Sequence, residues 1–254
     1  MAPPITIKFH GQLNDFLSEQ QQGTVLEVEY KNTRSVKDLI ESIGIPHTEI
    51  DIVIRNKESI SLTQLVRPGD SIEVYPACTS PDTPGPGLKI LHCQPESLAD
   101  TRFVLDVHLG KLAAYLRMLG FDSLYRNDYE DTTLAEISAQ ENRILLTCDR
   151  RLLMRKQVSY GYFVRHRKPQ QQLSEIMARY RLYKKVRPFS RCMRCNGVTH
   201  KVSKRSIEAN LLAGTKKYYN EFYQCESCNK IYWQGSHYQN MERLIEKWSI
   251  DQYK

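Results

Sequence analysis

Two Cys-x-x-Cys pairs, Cys192/Cys195 and Cys225/Cys228, carry the most specific chemistry in the chain. Each pair sets two thiolates on one tight turn. Two such turns supply the soft tetrahedral ligand set of a Zn²⁺ ion, with Zn–S distances of about 2.3 Å. The 29 residues between the pairs exceed the roughly 15–20 of an ordinary ribbon, which predicts an inserted element there. Two disulfides, or cysteines without a shared role, are the alternative that this spacing disfavours. Four thiolates leave no open coordination position, so the expected zinc is structural.

Carboxylates form the second constellation. Asp106 ends the apolar run Arg102-Phe-Val-Leu, and Asp149 ends Arg143-Ile-Leu-Leu-Thr-Cys. Asp131 opens the helical stretch between them, with Asp128 or Glu130 able to take its place. A Mg²⁺ or Mn²⁺ ion takes hard oxygen ligands and needs only a few from the protein. Asp106, Asp131 and Asp149 on one ion would have the means to activate water for phosphodiester cleavage. The plainer reading of an Asp at a strand end is a turn former or helix cap. Lys111 and Arg117, on the exposed side of the first helix, are candidate phosphate contacts or else a solvated helix face; Arg150 and Arg151 are further candidates, and His237 is either a phosphate contact or a surface or packing histidine. Tyr232 and Trp233 read as packing against the zinc lobe rather than stacking a base.

Strands alternating with helices must position these groups. Residues 102–106, 121–125, 143–147 and 162–164 read as strands. Leu109, Leu112, Ala113, Leu116 and Leu119 form a helical stripe that stops at Gly120. A second helix begins at Asp131 or Thr132, and Pro169 opens a third. Such alternation implies a mostly parallel sheet with ligands at the carboxyl ends of its strands, where Asp106 and Asp149 fall. The first 80 residues differ. Ile5, Ile7 and Phe9 alternate, as do Leu26, Val28 and Tyr30; Ser35 can cap a helix that stops at Gly44; 52–54 and 72–74 add strands. This β-β-α-β-β order suits a small sheet crossed by one helix. Residues 78–87 are rich in Pro and Gly and read as a linker.

Charge divides the same way. Residues 1–80 hold seven Lys/Arg against eleven Asp/Glu, whereas 150–217 hold nineteen against two. The overall balance of +7 is therefore concentrated where it can attract a polyanion, and interleaved tyrosines (Tyr160, Tyr162, Tyr180, Tyr183, Tyr218, Tyr219) are able to stack bases. Nucleic acid is the expected partner, with a merely solvated basic surface as the plainer alternative. No apolar stretch is long enough to span a bilayer, and the Met-Ala-Pro-Pro start lacks a secretory core. The remaining cysteines, Cys78, Cys93 and Cys148, are odd in number and fit a reducing, cytoplasmic setting.

Residues 4–76, with their closing Pro-Gly-Asp-Ser-Ile-Glu-Val-Tyr strand, resemble ubiquitin-like β-grasp domains of the ThiS/MoaD type. Those carriers act through a free C-terminal Gly-Gly; here Gly85-Pro86-Gly87 lies in mid-chain, which points to an interaction module and a protein partner. The stretch from Phe103-Val-Leu-Asp106 through Arg117-Met-Leu-Gly-Phe-Asp122, then Leu-Leu-Thr-Cys-Asp149-Arg150, then Cys225-Glu-Ser-Cys228 to His237, resembles the PIN-like ribonuclease domain of the Mut-seven C-terminal family. The resemblance implies a three-layer αβα sandwich and a metal-dependent ribonuclease with Asp106, Asp131 and Asp149 as its acidic residues. His108 and Cys148 depart from the family pattern beside two of them. The resulting organisation is a β-grasp domain (1–78), a linker (79–99), a PIN-like α/β nuclease domain (100–187) and a zinc ribbon with a C-terminal helix (188–254). The alternative is a non-catalytic RNA-binding protein or adaptor with a degenerate PIN-like site.

Overall fold

The computed structural model describes residues 2–76, 89–93, 101–235, 238–240 and 242–243. The 78–87 linker, His237 and, in the expected C-terminal helix, the apolar Met241, Leu244, Ile245 and Trp248 lie outside the described residues. In chain order the elements are β1 (Ile5–Phe9), β2 (Val25–Val28), α1 (Val36–Ile43), β3 (Ile50–Arg55), β4 (Glu58–Ile60) and β5 (Ser71–Pro76). There follow β6 (Phe103–Leu105), α2 (Gly110–Met118), β7 (Ser123–Leu124), α3 (Asp131–Glu141), β8 (Ile144–Thr147), α4 (Arg150–Leu153), β9 (Gly161–Phe163) and α5 (Pro169–Arg179). The last group is β10 (Thr199–Val202), α6 (Lys204–Ile207), α7 (Ala213–Tyr218), β11 (Phe222–Cys225) and β12 (Ile231–Tyr232). Two compact units result, neither continuous in sequence: 1–100 with 131–163, and 101–130 with 164–254.

In the first unit the N-terminal strands form one sheet in the order β2-β1-β5-β3-β4, with β1 and β5 parallel and the other pairs antiparallel. Ile5, Ile7 and Phe9 of β1 are buried with Val36, Leu39 and Ile40 of α1. A buried aliphatic is worth roughly 1.5–3 kcal/mol. A one-residue slip of β1 would replace that set with Thr6 and Lys8, so the register is fixed. Helix α1 starts with a capping box: Asp38 N–H donates to the Ser35 hydroxyl at 3.0 Å, while the Asp38 carboxylate accepts from Ser35. It ends at Gly44, whose φ of 103° only glycine adopts readily. Residues 91–93 run beside β3, with an isolated bridge between Ile52 and His92. The same unit holds α3, α4 and the parallel pair β8–β9.

The second unit pairs β6 with β7 in parallel and packs α2 with α5. Pro169 sits in the first turn of α5, where its missing N–H costs nothing. Gly120 ends α2 with a φ of 93°, and a Cβ there would run into the Arg187 carbonyl. Strands β10, β11 and β12 form an antiparallel sheet. The two short helices α6 and α7 lie between β10 and β11, and they are the insertion that the long Cys195–Cys225 spacing required.

Candidate metal centre and acidic site

The two cysteine turns are built alike. Cys192 N–H donates to the Gly197 carbonyl, and Asn196 N–H to the Cys192 carbonyl; Cys225 N–H donates to Lys230 and Asn229 N–H to Cys225. Asn196 and Asn229, each directly after its second cysteine, take φ values of 66° and 58°. Asn tolerates that left-handed turn better than most residues. The turns approach closely: a Cβ on Gly197 would stand 2.6 Å from Ser227 Oγ and 3.1 Å from Cys225 Sγ. All four sulfurs lie within 4.8 Å of one another. The closest contacts, Cys192–Cys228 and Cys195–Cys225, are 3.5 Å, far beyond the roughly 2.05 Å of a disulfide.

A tetrahedral Zn²⁺ fits this donor set. Burial works to raise the Cys192 thiol, yet the Tyr232 hydroxyl, donating at 3.0 Å, and backbone amides outweigh it and bring the thiol down to about 6. Cys195 moves the other way, to about 12, through partial desolvation and the thiols beside it. Four crowded thiols resist shared ionisation, and a dication removes that conflict.

Arg117 is where the structure corrects the sequence reading. Its helix face is not solvated: the residue is 5% exposed. The guanidinium donates from Nε to the Ser123 carbonyl at 2.8 Å and from one terminal nitrogen to the Met193 and Arg194 carbonyls at 3.2 Å. Burial lowers its pKa, and the charges of Cys192 and Cys195 work against that fall. Met193 and Arg194 are the residues between the first two cysteines, so a helix cation holds that cysteine turn by its backbone. Asn196 adds a second tie, accepting from Ser123 N–H at 2.9 Å and donating to Asp122 at 2.7 Å. Arg191 adds a third, 3.2 Å from Asp122. Neither Asn196 nor Asp122 was singled out from the sequence; the repeated Cys-x-x-Cys-Asn pattern was the available signal.

The acidic candidates fall into both units. Asp106 follows β6 and is 7% exposed. Asp131 opens α3 from an exposed position, with Arg155 at 3.8 Å. Asp149 follows β8 and caps α4, one carboxylate oxygen accepting from Arg151 N–H at 2.8 Å. Asp128 is held by Arg126 through two bonds of 2.9 and 2.7 Å, which lower its pKa, and Glu130 is exposed. Among the described residues, the four cysteines are the group of three or more His, Cys, Asp or Glu side chains whose ligand atoms come together. Lys111 and Arg151 are exposed.

Comparison with known families settles the class. The Mut7-C RNAse domain matches residues 101–245, and the Mut7-C ubiquitin matches residues 2–82. The chain belongs to the Mut7-C RNAse domain family. It is a mixed α/β protein with parallel strand pairs, an N-terminal ubiquitin-like sheet domain and a C-terminal cysteine cluster able to bind zinc. No curated protein and no solved structure matches it. Among the described residues no helix is long and apolar enough to cross a membrane.

Within the first unit, the ubiquitin-like domain grips the segment after Asp149. Arg150 donates to the Phe16 carbonyl at 2.9 Å, and its guanidinium lies 5.0 Å from the Phe16 ring and 5.7 Å from that of Phe163. The two rings meet edge to face at 5.3 Å. Phe163 N–H donates to Glu49, a carboxylate 4% exposed, at 2.7 Å. His47 lies between Glu41 at 2.6 Å and the Val158 carbonyl at 2.8 Å. Arg150, expected on phosphate, is half-buried on protein instead. None of Phe16, His47 and Glu49 carries a sequence motif, because their partners are more than a hundred residues away.

Proposed function

We propose that this Mut7-C RNAse-domain chain cleaves RNA with the help of Mg²⁺ or Mn²⁺ held by Asp106, Asp131 and Asp149. The match over residues 101–245 carries the reading. The donors suit a hard cation, which when bound lowers the pKa of water and offsets phosphate charge. Of the chain's own groups, Asp149 combines a cap on α4 with a carboxylate exposed at the end of β8. Lys111 and Arg151, both exposed, and the basic 150–217 run draw the polyanion in. The four-part organisation 1–78, 79–99, 100–187 and 188–254 belongs to this proposal, as do a structural zinc, a cytoplasmic setting and a protein partner for the ubiquitin-like domain.

RNA binding without cleavage is the second reading. It is favoured by the structural duties of two carboxylates, Asp149 as a cap and Asp131 beside Arg155. The Asp149→Asn variant separates the two. Asn caps helices about as well as Asp, so the fold and RNA affinity are kept while the charge is lost. The nuclease reading expects full-length protein to cut RNA with Mn²⁺ and the variant to bind without cutting. Equal cutting by both would remove Asp149 from the chemistry, and no cutting by either would favour the binding protein.

A further inference from the structure

The second unit holds a cavity of about 310 Å³ that no part of the proposed cleavage chemistry uses. Met118, Met193, Phe189, Tyr219, Trp233 and Tyr238 supply its apolar walls. Phe189 stacks on Tyr223 with ring centres 4.9 Å apart, and Tyr238 closes on Phe189 at 4.8 Å. Tyr232 behaves as the sequence reading expected, buried and bonded to Cys192. Trp233 is half-buried at the cavity, 6.1 Å from Tyr219. The lining contains two basic residues, Arg191 and Lys230, and no acidic one. Arg191 is tied to Asp122, whereas Lys230 is exposed and has no carboxylate partner among the described residues.

We propose that this cavity receives one unpaired base of an RNA strand, with Lys230 on the adjoining phosphate. The proposal rests on the ribonucleic-acid reading above and names the form of RNA that the zinc lobe selects. Pockets of this size with aromatic walls and few polar groups take planar organic ligands. A base adds a π face for Trp233 and an anionic linkage for the cation beside it, a combination that an apolar peptide lacks. Duplex RNA keeps its bases stacked inside and cannot enter, whereas single strands splay them onto aromatic side chains. A second hollow of about 410 Å³ shares Lys230, Ile231 and Trp233 with the first. Trp233 therefore lines both depressions. The insertion beside the second one exposes Leu212 (79%) and Tyr218 (72%), with Lys217 5.4 Å over the Tyr218 ring. This surface gives the neighbouring nucleotides a path across the lobe.

The test uses zinc-loaded full-length protein, a short single-stranded RNA carrying one 2-aminopurine, and a duplex of the same length. The fluorescent base should be quenched on binding to the wild-type protein, as stacking requires. Trp233→Ala should weaken single-strand binding by about tenfold, leave duplex binding unchanged and retain zinc; Trp233→Phe should recover most of the loss. Lys230→Ala should reduce the log–log salt slope by about 0.7, and Trp233→Ala should not. An unquenched probe, or a zinc-retaining Trp233→Ala variant that binds both RNAs like wild type, overturns the base pocket while RNA binding stands. Equal losses on both RNAs make Trp233 a packing residue and overturn it too. Wild-type protein that binds neither RNA removes the reading on which the pocket rests.

Discussion

Replacing Arg117 with Met keeps most of the side-chain volume and removes the guanidinium. If Arg117 were a phosphate contact, the loss would appear in RNA affinity and salt slope while stability stayed level. The observed geometry gives the opposite result. Three carbonyls, those of Ser123, Met193 and Arg194, accept from the guanidinium at 2.8–3.2 Å. The fourth contact, to Tyr125 at 3.5 Å, is too long to count. Hydrogen bonds to a charged group contribute roughly 1.5–3 kcal/mol each. The full total is not recovered, because the native state already bears the cost of desolvating the guanidinium, as its lowered pKa indicates. A buried carbonyl left without its donor costs about 1–3 kcal/mol, offset in part by no longer burying the guanidinium charge. About 3 kcal/mol is the expectation for Arg117→Met, or roughly 10 °C in melting temperature. Two of the lost acceptors sit between Cys192 and Cys195, so zinc release to a chelator should also accelerate. Thermal unfolding, chelator kinetics and RNA titrations in increasing salt form the assay. A variant with unchanged melting temperature and zinc release, but a shallower salt slope, would refute the buried-hub account and restore Arg117 to the RNA surface.

Purified protein should contain stoichiometric zinc, and chelation should unfold the lobe around the two cysteine turns, read by amide exchange in β10–β12; full protection after metal removal would contradict a metal-dependent fold. Arg150→Ala should cost about 2 kcal/mol, from a cation–π contact and a charge-assisted bond to Phe16, with little change in RNA salt slope; a steep loss of RNA affinity at unchanged stability would return Arg150 to the phosphate. Cys93, raised to about 11 by burial and by Asp51, should stay a thiol at neutral pH. Its alkylation rate should climb only as pH approaches 11, while rapid labelling at pH 7 would show a lower pKa.

Local signals in the sequence carried the ubiquitin-like domain well. Ser35, Asp38 and Gly44 state the limits of α1 in three residues, and the alternation of Ile5, Ile7 and Phe9 states the buried face of β1. The short β4 was not anticipated, since Glu58–Ile60 is too brief for a period-2 pattern and forms by hairpin pairing with β3. The nuclease region was similarly legible as alternating strands and helices, although β7 is only Ser123–Leu124 where residues 121–125 were expected. What escaped was side-chain direction. Arg117 sits on α2 between the buried Leu116 and Met118, and helical periodicity alone does not say which long polar residue turns inward. Two of its three acceptors are supplied by a turn some 76 residues later. Arg150 escaped for the same reason, its acceptor lying 134 residues earlier.

These long-range ties decide how the chemistry should be isolated. The first cysteine turn is bound through Arg117, Asn196 and Arg191 to the stretch around β7, and the ubiquitin-like domain is bound through Phe16, His47 and Glu49 to the stretch from Arg150 to Phe163. Each half of the nuclease region thus completes its packing with a different neighbour in sequence. A fragment spanning 100–187 would keep the Asp106, Asp131 and Asp149 carboxylates but strip two of its three acceptors, the Met193 and Arg194 carbonyls, from Arg117 and the aromatic contact from Phe163, which packs against the ubiquitin-like core. Two lost bonds to a charged group at roughly 1.5–3 kcal/mol each, together with the lost packing of Phe163, are large against a total domain stability of about 5–15 kcal/mol. The fragment should therefore lack a cooperative melt, and its inactivity would say nothing of the carboxylates. Cooperative unfolding of 100–187 on its own would show that the long-range ties are accessory. Otherwise only point substitutions in the full chain, with folding monitored alongside cleavage, can assign the chemistry to its residues.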